Sequence, residues 1–197
     1  MIQAVCRQIV AADHPVQQID VQQLRGLSYQ ELPPDQWRML NVGKSKQAIR
    51  LPYGNSYYDG VELPPVAGTI ELRMQGPAFP IEGYKALLAC VTFLDKDFRP
   101  THSVHSDEAV VPPPGAFRPL ESPLLEMKVF KRAGDRYMIV HTDPKLIGRK
   151  IRYALGNRGT PIIVPSQYLY SPGGRTSIDI IPTAQGKVRV KLFSKPR

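Results

Sequence analysis

The stretch Tyr84–Pro100, YKALLACVTFLDKDFRP, decides how the rest of the chain is read. From Ala86 to Leu94 it is apolar except at Thr92, a length that suits a strand buried on both faces, although periodicity alone does not separate such a run from a short buried helix. Its flanks favour the strand. Gly83 before it and Asp95-Lys96-Asp97 after it supply turn chemistry, and Cys90-Val91-Thr92-Phe93 is rich in β-branched and aromatic side chains that fit a pleated surface. The run is read as the central strand of a sheet, and the rest of the domain must supply the apolar material that covers it.

Working outward, period-two alternation recurs. In Thr69–Gln75, Ile70, Leu72 and Met74 point one way and Thr69, Glu71, Arg73 and Gln75 the other, which marks a strand with one wet face. Gln47–Leu51, Tyr57–Leu63 after a turn at Tyr53-Gly54-Asn55-Ser56, and Phe98–Val104 read as further extended pieces. Leu124–Lys131 and Arg136–His141, joined by Ala133-Gly134-Asp135, are predicted to form a hairpin. Ser177–Ile181 and Lys187–Phe193 around Gln185-Gly186 are predicted to form another, with Val188, Val190 and Leu192 inward and Lys187, Arg189 and Lys191 in water.

Helical signals are few. Asp143-Pro144 offers a cap followed by proline at a first helical position, and Leu146, Ile147, Ile151 and Tyr153-Ala154-Leu155 recur near helical spacing before Gly156. The outer face of that helix would carry Lys145, Arg149, Lys150 and Arg152. Residues 1–26 are a lead-in, either a short amphipathic helix after Asp13 and Pro15 or an extended arm, and Leu32–Trp37 is a turn into the domain. Pro112-Pro113-Pro114 makes a rigid connector, read as a crossing between sheets. The 20 prolines exclude long helices. The expected fold is therefore mostly β, an antiparallel β-sandwich with one short α-helix in the C-terminal half, with residues 27–197 as a single domain and a sandwich favoured over a barrel.

The formal net charge of +9 is unevenly placed. Residues 1–116 hold 10 Lys and Arg against 12 Asp and Glu, net −2, whereas residues 117–197 hold 16 against 5, net +11. A basic half attracts anionic surfaces or polymers, although interleaving with apolar residues is also how a solvated sheet face looks. Cys6 and Cys90 exclude a dense disulfide framework, and Cys90, in the middle of an apolar run, is read as a buried thiol rather than half of a Cys6–Cys90 bridge. No stretch approaches the ~20 apolar residues of a membrane-spanning helix.

No catalytic constellation emerges. His102 and His105 with Asp107 and Glu108 are the only plausible metal ligands, yet residues three apart on an extended segment point to opposite faces. No cysteine stands in a polar setting near a histidine, no nucleophile elbow follows a strand, and the Gly156-Asn157-Arg158-Gly159 and Gly173-Gly174-Arg175 turns open no helix that could cradle phosphate. The expectation is a protein that is not an enzyme, with no metal, no cofactor and no catalytic residues. Trp37, Tyr57, Tyr58, Tyr168 and Tyr170, near proline or glycine turns, are candidate ligand contacts whose rings could stack on a sugar, and Lys145, Arg149, Lys150 and Arg152 are the candidate face for an anionic partner such as lipopolysaccharide, anionic lipid or nucleic acid. Nucleic acid is the least favoured of these, because no aromatic-basic motif of the known single-strand binders appears.

The order of segments from Leu24 to about Val164 resembles the maltose-operon periplasmic protein family: LRGLSYQELP, AIRLP, GTIELRMQG, ALLACVTFLDKDFRPT, LLEMKVFKRAGDRYMIVHTD, then Tyr153-Ala154 before Gly-Asn and a proline loop. The resemblance covers roughly two thirds of the chain. The segment between His141 and Tyr153 looks shorter than in that family's prototype, and the chain is far more basic. What the resemblance implies is a periplasmic protein associated with maltose or maltodextrin-type transport, without catalytic residues, that binds an oligosaccharide or an outer-membrane protein. Residues 1–13 lack the apolar core of a secretory signal, so this expectation takes a leader as already removed.

Overall fold

The structure, a computed structural model, describes residues 19–43, 48–51, 54–74, 84–105, 125–142, 144–154 and 177–193. Of these residues 62% lie in strands, which makes the fold mostly β. Numbered in chain order, β1 (Gln30–Glu31), β4 (Gly54–Glu62), β10 (Tyr137–Thr142), β7 (Ala89–Leu94) and β8 (Pro100–Val104) form one sheet in that spatial order, and β3 (Ala48–Leu51) joins it through β4. A second sheet runs β2 (Arg38–Val42), β13 (Gly186–Phe193), β5 (Gly68–Met74), β9 (Leu125–Lys131). A third, of three strands, runs β11 (Ile151–Ala154), β12 (Ser177–Thr183), β6 (Tyr84–Leu87). Pairing is antiparallel except for β1 with β4 and β12 with β6.

Alternation explains the layering. Ile70, Leu72 and Met74 of β5, Leu125, Met127 and Val129 of β9, and Val188, Val190 and Leu192 of β13 turn into a core shared with Val61, Val91, Phe93, Met138 and Val140 of the first sheet. Two sheets therefore face each other across one apolar layer, as a β-sandwich requires. A second cluster, Ile19, Leu24, Ile49, Leu51, Tyr58, Leu94 and Ile139, covers the opposite face of the first sheet. This double cover is why every residue of β7 is buried.

The apolar run of Tyr84–Pro100 is buried throughout, yet it is two strands and not one. It breaks at Leu88, so that β6 pairs in parallel with β12 while β7 lies between β10 and β8. Leu88 itself is 1% exposed. A chain that changes sheets at a corner needs apolar side chains on both sides of the bend, and an uninterrupted run meets that need as well as a single two-sided strand does.

Both predicted hairpins are corrected in the same way. β9 pairs with β5, whereas β10 pairs with β4 and β7, so the Ala133–Asp135 turn carries the chain from one sheet to the other. Likewise β12 pairs with β11 and β6 while β13 pairs with β2 and β5. Two alternating strands with a tight turn fit an arch between layers as well as a hairpin, and burial of β10 from Met138 onward selects the arch. The β7–β8 connection is a true hairpin. Asp95 Oδ1 accepts from the backbone N–H groups of Asp97 (2.8 Å) and Arg99 (2.9 Å), and Phe98 takes a φ of 63°.

The short α-helix, α1, lies at Val21–Arg25, in the lead-in rather than the C-terminal half. It starts after Asp20, whose carboxylate accepts from Gln22 N–H at 2.9 Å; Asp13 and Pro15 lie outside the described residues. Its Gln23 amide meets the edge of β3, accepting from Arg50 N–H and donating to Ala48 O. The predicted C-terminal helix shrinks to a 3-10 turn at Pro144–Leu146. Gly148, at φ 76°, breaks it, and Ile151–Ala154 continue as β11. The Pro112–Pro114 connector lies outside the described residues, as does Cys6.

Leu88→Asp places an unpaired carboxylate at the buried crossing point and is expected to cost on the order of 4 kcal/mol or to abolish folding. Melting followed by far-ultraviolet circular dichroism checks this; an unchanged transition would mean the corner is open to water.

Candidate functional site

Three groupings of polar side chains stand out, and burial separates those that serve the fold from the one that meets solvent. The first is the seam where β8 and β9, edge strands of different sheets, approach each other. His102 stacks on Phe93 with ring centroids 4.4 Å apart, and its Nε2 lies 3.3 Å from the Phe130 carbonyl, which only accepts, so that nitrogen carries a proton. Thr101 Oγ1 donates to Asp135 Oδ1 at 2.7 Å, and Asp135 Oδ2 accepts from Arg132 N–H at 2.7 Å. His102 Nδ1 is 3.1 Å from Thr101 Oγ1 and 3.8 Å from Asp135 Oδ1. Beside them the buried Lys131 ammonium donates to Val66 O (2.7 Å) and Arg132 O (3.0 Å), and burial pushes its pKa down while Asp135 opposes that shift. This is a buried polar latch between sheets. Its counterpart on the other side is Asp59 of β4, whose Oδ2 accepts from Asn41 N–H of β2 at 2.8 Å.

The second grouping lies on the opposite face of β7. Cys90 Sγ is 3.4 Å from His105 Nδ1, and Thr92 Oγ1 bridges His141 Nε2 (3.1 Å) and Ser103 Oγ (3.0 Å). From sequence no cysteine is expected in a polar setting near a histidine; Cys90 does meet the His105 ring, in a buried position. The pairing was invisible in sequence because 15 residues and a hairpin separate the two side chains, and the local signal, an apolar run, spoke only of burial. Cys90 is 1% exposed, so the thiol has no approach for a solute. His102 and His105 fall on different faces, one against Phe93 and one against Cys90, as their spacing foretold. Among the described residues no group of three His, Cys, Asp or Glu side chains could hold a metal ion; Asp107 and Glu108 lie outside them.

The third grouping is the outer face of the four-stranded sheet, built by the residues that alternate with the core. β13 presents Lys187, Arg189 and Lys191. Register places Arg189 beside Arg73 of β5, and Arg73 beside Glu126 of β9; Lys191 stands beside Glu71, and Glu71 beside Lys128. Arg73 Nε donates to Glu71 Oε1 at 2.8 Å and lies 3.1 Å from Glu126 Oε1, off the line of a hydrogen bond. Its guanidinium also sits 4.7 Å from the centroid of the Trp37 ring. Lys191 Nζ lies 4.9 Å from the Phe193 ring. Lys187, Arg189 and Lys128 are exposed and make no ion pair among the described residues.

The candidate residues named from sequence divide accordingly. Trp37 is 40% exposed at the margin of this face. Tyr57 is half-buried against the main core, and Tyr58, 4% exposed, packs in the second core, which leaves its ring no face for a ligand. Tyr168 and Tyr170 lie outside the described residues. Arg149, Lys150 and Arg152 are exposed, but Lys150 Nζ and Arg152 Nε both lie 2.9 Å from the Asp179 carboxylate, which therefore offsets much of their field. Lys145 falls in the 3-10 turn, and its side chain is outside the described part. The cations missed as a site were visible as the wet positions of β13; what the sequence could not supply was that β5 and β9 add their own wet faces beside them. No helix among the described residues is long and apolar enough to cross a membrane.

Comparison with known proteins found no match to the chain among family models, curated proteins or solved structures.

Asp135→Ala leaves the Arg132 N–H and the Thr101 hydroxyl without their acceptor and is expected to cost about 2–4 kcal/mol in urea unfolding. A loss within 0.5 kcal/mol would mean that water replaces the carboxylate there. The hydrogen bond from Arg152, then that from Lys150, holds the Asp179 carboxyl at about 2. Because this folded value lies below the ordinary one of 3.8, the stabilisation is present above pH 3.8 and disappears as pH falls toward 2. Carboxyl NMR titration of Arg152→Ala should show Asp179 moving up toward its ordinary value; an unmoved titration would mean the pair does not form in solution.

Proposed function

We propose that this chain is a non-enzymatic binding protein that holds an anionic partner on the outer face of the sheet β2-β13-β5-β9. The observation that carries the reading is a face on which five cations, Arg73, Lys128, Lys187, Arg189 and Lys191, stand against two carboxylates that are themselves engaged with Arg73. Alternate strand positions place the three β13 cations about 7 Å apart in a line. A like-signed row on a low-dielectric sheet raises the local concentration of an opposite charge. The site moves from the sequence-based face of Lys145, Arg149, Lys150 and Arg152, where Lys150 and Arg152 share the Asp179 carboxylate, to a face on which Lys128, Lys187 and Arg189 make no ion pair among the described residues.

A second reading is a periplasmic role in maltose or maltodextrin-type carbohydrate transport, with an oligosaccharide or an outer-membrane protein as partner. It rests on the family resemblance, and the exposed ring of Trp37 is the structural feature in its favour. Neutral maltodextrin would then bind without dependence on salt, which separates the two readings.

Binding to immobilised heparin, used as a generic polyanion, tests the leading one. The affinity should fall at least tenfold between 50 and 200 mM salt, and Lys187→Glu with Arg189→Glu should abolish retention while leaving the melting temperature within about 2 °C. Retention indifferent to salt, or unchanged in the double variant, would remove the basic face from the account.

A further inference from the structure

The surroundings of the β13 cations narrow the partner beyond its charge. Resting on the anionic-partner reading, we infer that this face takes an acidic polysaccharide, a sugar chain with carboxylates spaced by hydroxyl-rich rings, lying along β13 with one ring against Trp37.

Trp37 immediately precedes Arg38, the β2 residue paired with Val190, so it stands at the strand level of Lys191, while Arg189 lies opposite Met39. The Arg73 guanidinium covers one side of the indole at 4.7 Å, and 40% of the residue remains exposed. An apolar ring surface framed by cations suits a molecule that is apolar on one face and anionic at its rim. A pyranose carrying a carboxylate is such a molecule.

The two carboxylates argue against a more densely charged polymer. Glu71 of β5 stands in register with Lys191 and Lys128, and Glu126 of the edge strand β9 with Arg73. A backbone with a phosphate on every unit would bring some of its charges over them. A chain whose charges are spaced can set its carboxylates on Lys187, Arg189 and Lys191 and turn its hydroxyls toward Glu126, whose side chain keeps 19% of its surface exposed. Hydroxyls donate to carboxylates and phosphates do not. A nucleic-acid platform would also place several aromatic rings along the strand centres, where this face has cations and carboxylates.

Trp37 is the only tryptophan of the chain, so its emission reports the contact directly. The probes are sodium hyaluronate, which carries a carboxylate on every second sugar, oligothymidylate and neutral dextran, titrated separately into the full chain at 50 mM salt, with Trp37→Ala and Arg189→Glu as variants. Hyaluronate should bind and shift the Trp37 emission, dextran should not compete, Arg189→Glu should remove binding, and Trp37→Ala should weaken it about tenfold without altering the salt slope. Oligothymidylate binding without hyaluronate binding would overturn the polysaccharide and leave the anionic-face reading standing. Binding of neither polyanion would overturn both. Hyaluronate binding with silent Trp37 emission and an unaffected Trp37→Ala variant, or equal competition by dextran, would overturn the inference as well.

Discussion

The buried carboxylate of Asp135 holds together what the strands alone do not. Wherever the chain passes from one sheet to the other, main-chain polar groups leave the ladder and must find partners without water. At Arg132–Asp135 one carboxylate takes the Arg132 N–H and the Thr101 hydroxyl and lies beside His102, while Lys131 donates to the Arg132 carbonyl of the same turn and to the Val66 carbonyl of the β4–β5 connection. Across the sandwich Asp59 does the same for the edge of β2. Side chains thus link edges that no ladder joins, and the sheets keep the separation at which their apolar faces interlock.

Alternation made the faces of strands legible and left their partners hidden. Ile70, Leu72 and Met74 on one side of β5, and Lys187, Arg189 and Lys191 on one side of β13, fall where period two puts them. Pairing is a different matter, since register brings Arg38 opposite Val190 and Gly68 opposite Lys131, across distances in sequence at which no local signal acts. Tight turns such as Ala133-Gly134 were read as hairpins because turn chemistry is the same in a hairpin and an arch. The helical spacing of Leu146, Ile147 and Ile151 misled for a related reason. Ile151 packs against the core as the first residue of a strand, and Ile147 is 41% exposed.

The site was legible in part. Charge asymmetry points to the C-terminal half, and period two places Lys187, Arg189 and Lys191 of β13 in water. β13 is an interior strand, so its lysines and arginine guard no edge and stand in the middle of a broad face. Neutralisation of Lys150 and Arg152 depended on Asp179, 27 residues from Arg152 and opposite it only through the β11–β12 register. Of the aromatic candidates, Tyr58 and its neighbour Tyr57 show how little a single sequence says about exposure. Adjacent strand positions face opposite ways, and here both ways lead into apolar layers.

The position of β13 between β2 and β5 has a bearing on synthesis. The first of those partners is made nearly 150 residues before the strand that separates them, so a nascent chain carries β2 and β5 as unpaired edges until residues 186–193 have emerged. The four-stranded layer closes only at that point. The outer face, to which β13 contributes Lys187, Arg189 and Lys191, is complete only once that strand has joined β2 and β5.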